Sequence, residues 1–395
     1  MRILLVSSYL PYPLHAGGEI RLYNLLKRLA KNHTITLICE KRNKQTAADI
    51  AEVKKFCKKV ITVDRKKQWT IRNILKTGIS AKPFLLTGHT HPEMKALIAK
   101  ELEENTFDII HVETFYVLQN VPETKIPIVL VEHNIEYLVY KRFVDKASFA
   151  LRPLLSFDIL KLKREEEKSW DRVTRLVAVS EIEKQLMQRA DVAVVPNGVD
   201  LVQFNEKNID VALQRKKKKV LFIGDFRWIQ NQDSAKWIIS EIWPKIQQLS
   251  LKEDLAIELW IVGRTIPENI KQLGKDNTIV FDEHATQATS AIFQEADLLL
   301  APIRIGGGTQ YKILESMAVG TPVVTTPLSA NALGAKNQEN IFAAETAEDL
   351  AKQVVAVLTD MKVYKTISTN ARKFVEEKYS WETITRDLED VYKSV

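Results

Sequence analysis

The 395-residue sequence predicts an α/β protein built from two doubly wound parallel-sheet domains. Three observations support this class. Short apolar runs recur along the whole chain without alternating with polar residues, which is typical of strands buried on both faces. Segments with apolar residues at helical spacing separate these runs, as expected for helices that cover a parallel sheet. The length also exceeds what one hydrophobic core usually organises, so we expect two domains.

The predicted strands fall into two series. The first comprises the apolar runs 3–6, 34–38, 107–112, 127–133, 175–180 and 192–197. The second comprises the runs 219–225, 256–264, 277–284, 296–303 and 321–326. A Pro-Asn-Gly turn lies where the first series gives way to the second and is typical of a boundary. We therefore predict one domain over residues 1–195 and a second over 196–379, followed by an amphipathic helix.

The composition is that of a soluble globular enzyme, with 45% hydrophobic and 8% aromatic residues. No apolar stretch approaches the ~18 residues that a membrane-spanning helix requires, and the first apolar run is predicted to be a strand rather than a signal peptide. The two cysteines, Cys39 and Cys57, have no metal-ligand spacing and do not indicate a disulfide framework. We therefore expect a cytoplasmic protein.

The net charge of +7 indicates an anionic partner. Much of the positive charge lies in residues 54–76, which contain a single acid. Two interpretations of this stretch remain open: a solvated surface, or peripheral contact with an anionic membrane aided by the apolar residues Trp69, Ile71, Ile74 and Leu75. No nucleic-acid-binding motif is present, so a nucleic-acid partner is not expected.

Two glycine-rich turns follow predicted strands and precede predicted helices. Gly17 and Gly18 follow the first strand, and three consecutive glycines, 306–308, follow the run 296–303 with Thr309 as a helix cap. Glycine lets a ligand approach the backbone, and the N–H groups of a helix start attract anions. In parallel sheets ligands bind beyond the carboxyl ends of the strands. Two such sheets that face each other would form one cleft with a glycine turn on each side.

The helix after the second turn carries Lys312 and Glu315, which are three residues apart and therefore neighbours on one face. One interpretation is an exposed ion pair. The other assigns Glu315 to the hydroxyls of a ribose and Lys312 to a phosphate. No GxxxxGK[ST] loop occurs, so phosphate binding of the ATPase type is not indicated.

Taken together, these motifs resemble glycosyltransferase family 4, the retaining, nucleotide-sugar-dependent enzymes of GT-B fold. The resemblance extends over essentially the whole chain, and its most specific part is residues 296–326. It is carried by GGxxR (17–21), VEHN (131–134), AVS (178–180), PNGVDLVQF (196–204), FIGDFRW (222–228), IVG (261–263), ADLLLAPIRIGGGT (296–309), KILESMAVGTPVVTT (312–326) and YSWE (379–382). It implies two Rossmann-like domains that face each other across a cleft, with a final helix, 380–395, that crosses back onto the N-terminal, acceptor-side domain.

The resemblance also implies roles for individual residues. Gly17 and Gly18 would contact the distal phosphate or the transferred sugar, and His133 would lie beside that sugar. Glu315 matches the second glutamate of the family's E-x7-E motif, which binds the ribose. Backbone N–H groups of Gly308, Thr309 and Gln310 would contact the sugar or the diphosphate. The partners implied are a nucleotide-sugar donor and a glycan or lipid-linked acceptor, at the inner face of a membrane if the acceptor is a lipid.

The sequence departs from the family pattern in two places. Gly307 stands where the first glutamate of E-x7-E is expected. Arg227 follows the first strand of the second domain without the lysine that usually accompanies it. Our hypothesis is that Arg227, Lys312 and Arg304 share the diphosphate. Because no D-x-D motif is present, we predict that the leaving group is stabilised by helix N-termini and these cations, with no metal or other cofactor.

Other functions remain open at this stage. A GT-B nucleotide-sugar epimerase would need acid and base groups near the sugar, and Glu113, Glu132 and His133 are candidates. The replacement at Gly307 leaves room for a catalytically inactive nucleotide-sugar-binding protein. A dehydrogenase is less compatible, because no G-x-G-x-x-G follows the first strand.

Overall fold

Two parallel β-sheets organise the chain in the computed structural model, which describes residues 1–144, 149, 151–285, 288–305 and 311–395. Each sheet belongs to its own unit, one formed by Met1–Pro196 with Ile384–Val395 and the other by Asn197–Thr383. Helices pack on both sheets, and apolar cores lie between the layers. The predicted class, two parallel-sheet α/β domains, is confirmed.

The first unit contains a sheet in the order β3-β2-β1-β4-β5-β6-β7. Its strands are β1 (Arg2–Ser7), β2 (Thr34–Lys41), β3 (Lys59–Asp64), β4 (Ile109–Glu113), β5 (Ile128–Glu132), β6 (Arg175–Ala178) and β7 (Val192–Val194). Central strands such as β1 are apolar and almost wholly buried because helices cover both faces. All of the pairings described in this sheet are parallel.

Eight helices of the described residues cover this sheet: α1 (Gly17–Leu29), α2 (Ala47–Lys54), α3 (Ile71–Ile79), α4 (Phe84–Gly88), α5 (Pro92–Glu104), α6 (Glu136–Val144), α7 (Arg152–Asp171) and α8 (Glu181–Met187). A 3₁₀ turn, Phe115–Asn120, follows β4. Side chains of Thr46, Thr70 and Ser180 accept N–H groups at the starts of α2, α3 and α8. In the part of the chain described, no helix is both long enough and apolar enough to cross a membrane.

The second unit contains a sheet in the order β10-β9-β8-β11-β12-β13. The strands are β8 (Lys217–Ile223), β9 (Ala256–Val262), β10 (Ile279–Asp282), β11 (Leu298–Ala301), β12 (Val323–Thr325) and β13 (Phe342–Ala343). The helices are α9 (Ile209–Gln214), α10 (Ile229–Trp237), α11 (Trp243–Lys252), α12 (Glu268–Leu273), α13 (Thr289–Glu295), α14 (Tyr311–Val319), α15 (Pro327–Ala332), α16 (Ala347–Thr359) and α17 (Met361–Lys378). The last helix, α18 (Trp381–Lys393), begins in the second unit and belongs to the first unit from Ile384 onward. A π-helical turn, Ile238–Ile242, joins α10 to α11.

The strand order identifies where each sheet offers a binding edge. In the first sheet, β2 and β3 lie on one side of β1, and the strands from β4 onward lie on its other side. In the second sheet the strand order changes sides in the same way between β8 and β11. Ligands of open α/β sheets bind beyond the carboxyl ends of the strands at such switch points. Most predicted site residues follow these strands in the sequence, and His133 follows β5, so the carboxyl ends of both sheets are the candidate sites.

Candidate functional site

Glu113, the last residue of β4, is fully buried and gathers three side chains around its carboxylate. Its Oε2 lies 2.6 Å from Nε2 of His111, and its Oε1 lies 2.7 Å from Nε2 of His133. The buried guanidinium of Arg21 approaches Oε1 to 3.7 Å and donates to the carbonyl of Pro196 at 2.7 Å. Glu113 is therefore the centre of a charged cluster at the switch point of the first sheet.

The carboxylate of Glu113 fixes which ring nitrogen of each histidine donates a hydrogen bond to it. Burial by itself raises the pKa of this carboxyl, but the charge of His133 and the hydrogen bonds from His111 and His133 outweigh burial and hold the pKa far below its usual range. A carboxylate only accepts hydrogen bonds, so both Nε2 atoms donate to it. His111 is fixed from its other side by the Tyr392 hydroxyl, 2.6 Å from Nδ1. His133 keeps 16% exposure, so it is the ring that a ligand can reach.

The predicted glycine turn of the first unit lies against His133. Helix α1 begins at Gly17. A Cβ atom at Gly18 would lie 2.9 Å from the Tyr9 hydroxyl oxygen and 3.5 Å from Cε1 of His133, so a side chain at Gly18 would displace Tyr9. The Glu19 carboxylate accepts the backbone N–H groups of the two residues before Gly17, which fixes the turn. The structure thus brings Gly18 and His133 together.

In the second unit, the turns that follow β8 and β9 approach each other closely. A Cβ atom at Gly263 would lie 1.9 Å from the carbonyl oxygen of Gly224, and a Cβ at Gly224 would lie 2.7 Å from Cγ of Asn231. Asn231 donates from Nδ2 to the carbonyl of Asp225 at 2.8 Å. Only glycines permit this close packing, and the packing holds Asn231 at the switch point.

Lys312 projects from α14 to the same place. Its Nζ donates to Oδ1 of Asn231 at 2.6 Å and lies 5.0 Å from the centre of the Phe222 ring. Burial lowers the pKa of Lys312 to about 8, an effect that the charge of Glu315 partly offsets. Burial also raises the pKa of Glu315 to about 7, against the opposing charge of Lys312. Both side chains are half-buried, while the opposite face of the helix is buried in the core through Ile313, Leu314, Met317 and Ala318.

The two predicted arginines are held by carboxylates. Arg227 forms a forked pair with Asp225, with Nε 2.9 Å from Oδ1 and Nη2 2.5 Å from Oδ2. Arg304 pairs with Asp233, with Nη2 2.9 Å from Oδ1, and its guanidinium lies 4.3 Å from the centre of the Trp237 ring. Both arginines follow strands that flank the switch point, so they extend from the edge that carries Lys312.

Four predicted donor-binding residues, Gly307, Gly308, Thr309 and Gln310, lie outside the described residues. Two residues of the candidate site were not assigned to donor binding from the sequence. Asn231 was not predicted, although the glycine that packs against it, Gly224, follows β8 directly. Glu113 was considered only for the epimerase alternative, and its neighbour His111 is fixed by Tyr392, which lies 281 positions further along the chain. Within the described ranges, no group of three or more His, Cys, Asp and Glu side chains is arranged to hold a metal ion.

Known proteins share both halves of this architecture. Residues 15–203 match the family described as Glycosyltransferase Family 4, and residues 217–360 match the family described as Glycosyl transferases group 1. HepE of Anabaena, solved with UDP and glucose, superposes with a TM-score of 0.64 over 100% of both chains at 15% identity. Sucrose-phosphate synthase of Thermosynechococcus elongatus gives 0.68 over 100% of this chain and 99% of that one, at 16% identity.

Similar sequences lead to the same class. An uncharacterized 44.6 kDa protein in the cps region of Klebsiella pneumoniae is 22% identical over 96% of both chains. A phosphatidyl-myo-inositol mannosyltransferase of Mycolicibacterium smegmatis is 24% identical over 57% of this chain and 58% of its own. The fold and the matched domains define a glycosyltransferase of the GT-B type. More particularly, the chain belongs to glycosyltransferase family 4.

Proposed function

We propose that this transferase moves a sugar, with retention of configuration and without a metal ion, from a nucleoside-diphosphate sugar to a hydroxyl group of a glycan or lipid-linked acceptor. The observation that carries the proposal is the half-buried Lys312 beside Glu315 at the switch point of the second sheet. Among the described residues, the ammonium donates a hydrogen bond to the neutral amide of Asn231. A site of this kind has a cation available for an anionic ligand.

The chemistry follows from where charge develops. Departure of the nucleoside diphosphate places negative charge on its β-phosphate, and a cation already held in place stabilises that charge without a proton transfer. Lys312 is our first candidate for this role. Arg227 and Arg304 are the second, since each would exchange its carboxylate partner for phosphate oxygens. Glu315 would accept the ribose hydroxyls. Gly307, Gly308, Thr309 and Gln310 would contribute backbone N–H groups at the start of the helix.

In the first unit we assign the transferred sugar to His133, Gly17 and Gly18. Glu113 orients the imidazole of His133 and keeps its Nε2 protonated, so its Nδ1 is an acceptor when the ring is neutral. The missing side chain at Gly18 leaves Tyr9 in place beside the ring. We do not assign an enzymic nucleophile, because retention by attack from the face of the departing group requires none.

The acceptor and the place of action are also part of the proposal. The relative from Mycolicibacterium smegmatis is named for mannosyl transfer to phosphatidyl-myo-inositol, which supports a lipid acceptor for this chain. The basic residues 54–76 support contact with an anionic membrane. Cys39 and Cys57 are buried free thiols, which suits the cytoplasm. We therefore propose a cytoplasmic enzyme that works at the inner face of a membrane.

The test is incubation of the full chain with candidate nucleotide sugars, with and without glycan and lipid-linked acceptors. We expect slow release of nucleoside diphosphate from one donor alone and faster release with its acceptor. NMR of the anomeric proton of the product should show the configuration of the donor. An inverted linkage would contradict the retaining mechanism.

A second candidate function is epimerisation of the nucleotide sugar. The observation that favours it is the cluster of Glu113, His111 and His133, which contains groups able to exchange protons near a sugar. The same incubation without acceptor separates the two functions. An epimer of the donor would identify an epimerase, whereas free nucleoside diphosphate and sugar would identify a transferase.

A further inference from the structure

Two neighbouring helices of the first unit expose large apolar side chains. Trp69, two residues before α3, and Ile71, the first residue of α3, are 80% and 78% exposed. Further along α3 Leu75 is exposed, and Leu154, Phe157 and Leu160 are exposed in the first half of α7. We call these six residues the α3–α7 face. Single exposed apolar residues are common on proteins, but a concentration of this kind indicates an interaction surface.

Direct contacts join the two helices that form the α3–α7 face. Lys161 of α7 donates from Nζ to the carbonyl oxygens of Thr77 and Ser80, at 2.8 and 2.9 Å, where α3 ends. The ring of Trp69 lies 4.7 Å from that of Phe84, centre to centre. The backbone N–H of Phe84 in turn donates to the carboxylate of Asp158 on α7. The exposed apolar side chains therefore belong to one connected part of the surface.

The surroundings of the α3–α7 face are strongly basic. Residues 65–83 contain six lysines and arginines and no acid, and residues 149–164 contain four with one acid, Asp158. Both oxygens of that acid accept the N–H of Phe84. The net formal charge of these two segments is +9, more than the +7 of the whole chain. Two copies of such a surface would repel each other, so charge complementarity favours an anionic partner over a second copy.

Side chains of the protein form hydrogen bonds with backbone groups at both ends of α3. At the start, Thr70 accepts the N–H of Asn73 at 3.1 Å, and the Asn73 amide donates to the carbonyls of Lys67 and Gln68. At the end, Lys161 occupies two carbonyl oxygens. A helix whose terminal groups already have partners needs less water and can lie in an interface of low polarity.

We infer that the α3–α7 face docks on an anionic lipid bilayer, with its apolar side chains in the headgroup region and its lysines on the lipid phosphates. This inference rests on the proposed function, because it would bring the enzyme to a lipid-linked acceptor. It differs from the sequence prediction of residues 54–76 in two ways. It adds α7, and it excludes residues 54–64, where Lys55 pairs with Glu52 and Lys59 with Glu101.

The test is co-sedimentation of the full chain with vesicles of equal parts phosphatidylglycerol and phosphatidylcholine, and with vesicles of phosphatidylcholine alone. We expect binding to the anionic vesicles. The double variant Phe157→Ser with Leu160→Ser should weaken it by about tenfold or more, since each side chain loses a buried position in the lipid. The matched control is Leu251→Ser with Met361→Ser, two exposed apolar residues of the second unit that should leave binding unchanged.

Two double variants of lysine residues test which part of the basic stretch contacts the membrane. Lys66→Gln with Lys67→Gln should weaken binding by on the order of tenfold, whereas Lys54→Gln with Lys58→Gln should leave it close to that of the unchanged protein. Thermal unfolding of each variant checks that it is folded.

Three results would overturn the inference: no binding of the unchanged protein to anionic vesicles, normal binding of the Phe157–Leu160 variant, or a dimer in sedimentation velocity that this variant abolishes. Donor turnover without vesicles separates this inference from the proposed function. Its absence would count against the proposed function, and the vesicle results would still decide the docking surface.

Discussion

Lys312 is a half-buried ammonium group whose hydrogen-bond partner is a neutral amide. Burying a cation costs free energy unless an opposite charge or several hydrogen bonds compensate. The nearest carboxyl on its own helix, Glu315, is itself favoured in its neutral form by burial. A diphosphate would supply the missing negative charge. Lys312 is therefore suited to an anionic ligand, and its substitution tests the proposed donor site at a single residue.

Lys312→Ala should weaken the binding of nucleoside diphosphate by about tenfold to a hundredfold, since a charge-assisted hydrogen bond contributes about 1.5–3 kcal/mol. Isothermal titration with the best-binding nucleotide measures the effect. Lys336→Ala is the control, because Lys336 is exposed and pairs with Glu339 in the same unit. Unchanged affinity in Lys312→Ala would remove the lysine from the donor site.

Nucleotide affinity should also depend on pH in a bell-shaped way. Lys312 must be protonated to attract phosphate, and burial lowers its pKa to about 8, so affinity should fall as pH rises through 8. Glu315 must be ionised to accept ribose hydroxyls well, and burial raises its pKa to about 7, so affinity should fall as pH drops through 7. Titrations from pH 5 to 10 check this. An affinity that is flat across this range would contradict both assignments.

Glu113 illustrates a residue whose importance depends on contacts between distant segments. The neighbouring positions of Lys312 and Glu315 could be predicted from sequence, because residues three apart on a helix lie on the same face. Glu113 contacts His111 on its own strand and also His133 and Arg21, which come from other parts of the chain. Asn231 likewise meets Lys312 across 81 positions. These long-range contacts do not follow from local spacing, because they depend on the order of the strands in each sheet.

Glu113→Gln should destabilise the folded protein by about 3 kcal/mol, since it leaves a buried guanidinium and two imidazoles without their shared negative charge. Urea unfolding at neutral pH measures the change. The control is Glu339→Gln, which removes only an exposed ion pair. A loss in Glu113→Gln as small as in the control would show that the cluster contributes little to stability.

At the scale of elements, apolar runs predicted eleven of the thirteen described strands, because buried parallel strands are short and continuous. They missed β3, which is mostly only partly buried, and β13, which has two residues. A helix cap supplied by a residue far away in the chain could not be recognised from the sequence. The Glu166 carboxylate of α7 accepts the N–H groups of Glu136 and Tyr137, at 2.8 and 2.9 Å, where α6 begins. Burial and the neighbouring charges of other carboxyls raise the pKa values of Glu166 and Glu132.

This carboxyl pair predicts a pH-dependent stability. A carboxyl with a raised pKa in the folded state binds a proton more tightly there than in the unfolded chain, so its contribution to stability is greatest at low pH and is lost as pH rises towards the raised pKa. The slope is about 1.4 kcal/mol per pH unit for one proton. Glu166→Gln keeps an acceptor at the start of α6 and should reduce the loss of stability between pH 5 and 8. Urea unfolding at several pH values tests this, and an unchanged slope would contradict it.

At the scale of the whole molecule, each unit has its own switch point, and we assign one part of the donor to each. The described side chains that we assign to the nucleotide, Arg227, Arg304, Lys312 and Glu315, all belong to the second unit. Those assigned to the sugar, together with the α3–α7 face, belong to the first. The glycine turns in the sequence led to the prediction of both sites, and the turn at 306–308 lies outside the described residues. The sequence did not predict the extent of the exposed surface on α7, because an apolar helix segment looks the same in sequence whether it is covered or not.

The central claim is that the second unit binds a nucleoside diphosphate at Lys312 and Glu315. The most direct measurement is thermal unfolding of the full chain with UDP, GDP, ADP and TDP in turn. A ligand at a hundred times its dissociation constant stabilises the folded state by about 2.7 kcal/mol, so at least one nucleotide should raise the melting temperature by several degrees, and Lys312→Ala should lose most of that rise. Melting temperatures that none of the four nucleotides changes at millimolar concentration would contradict the claim.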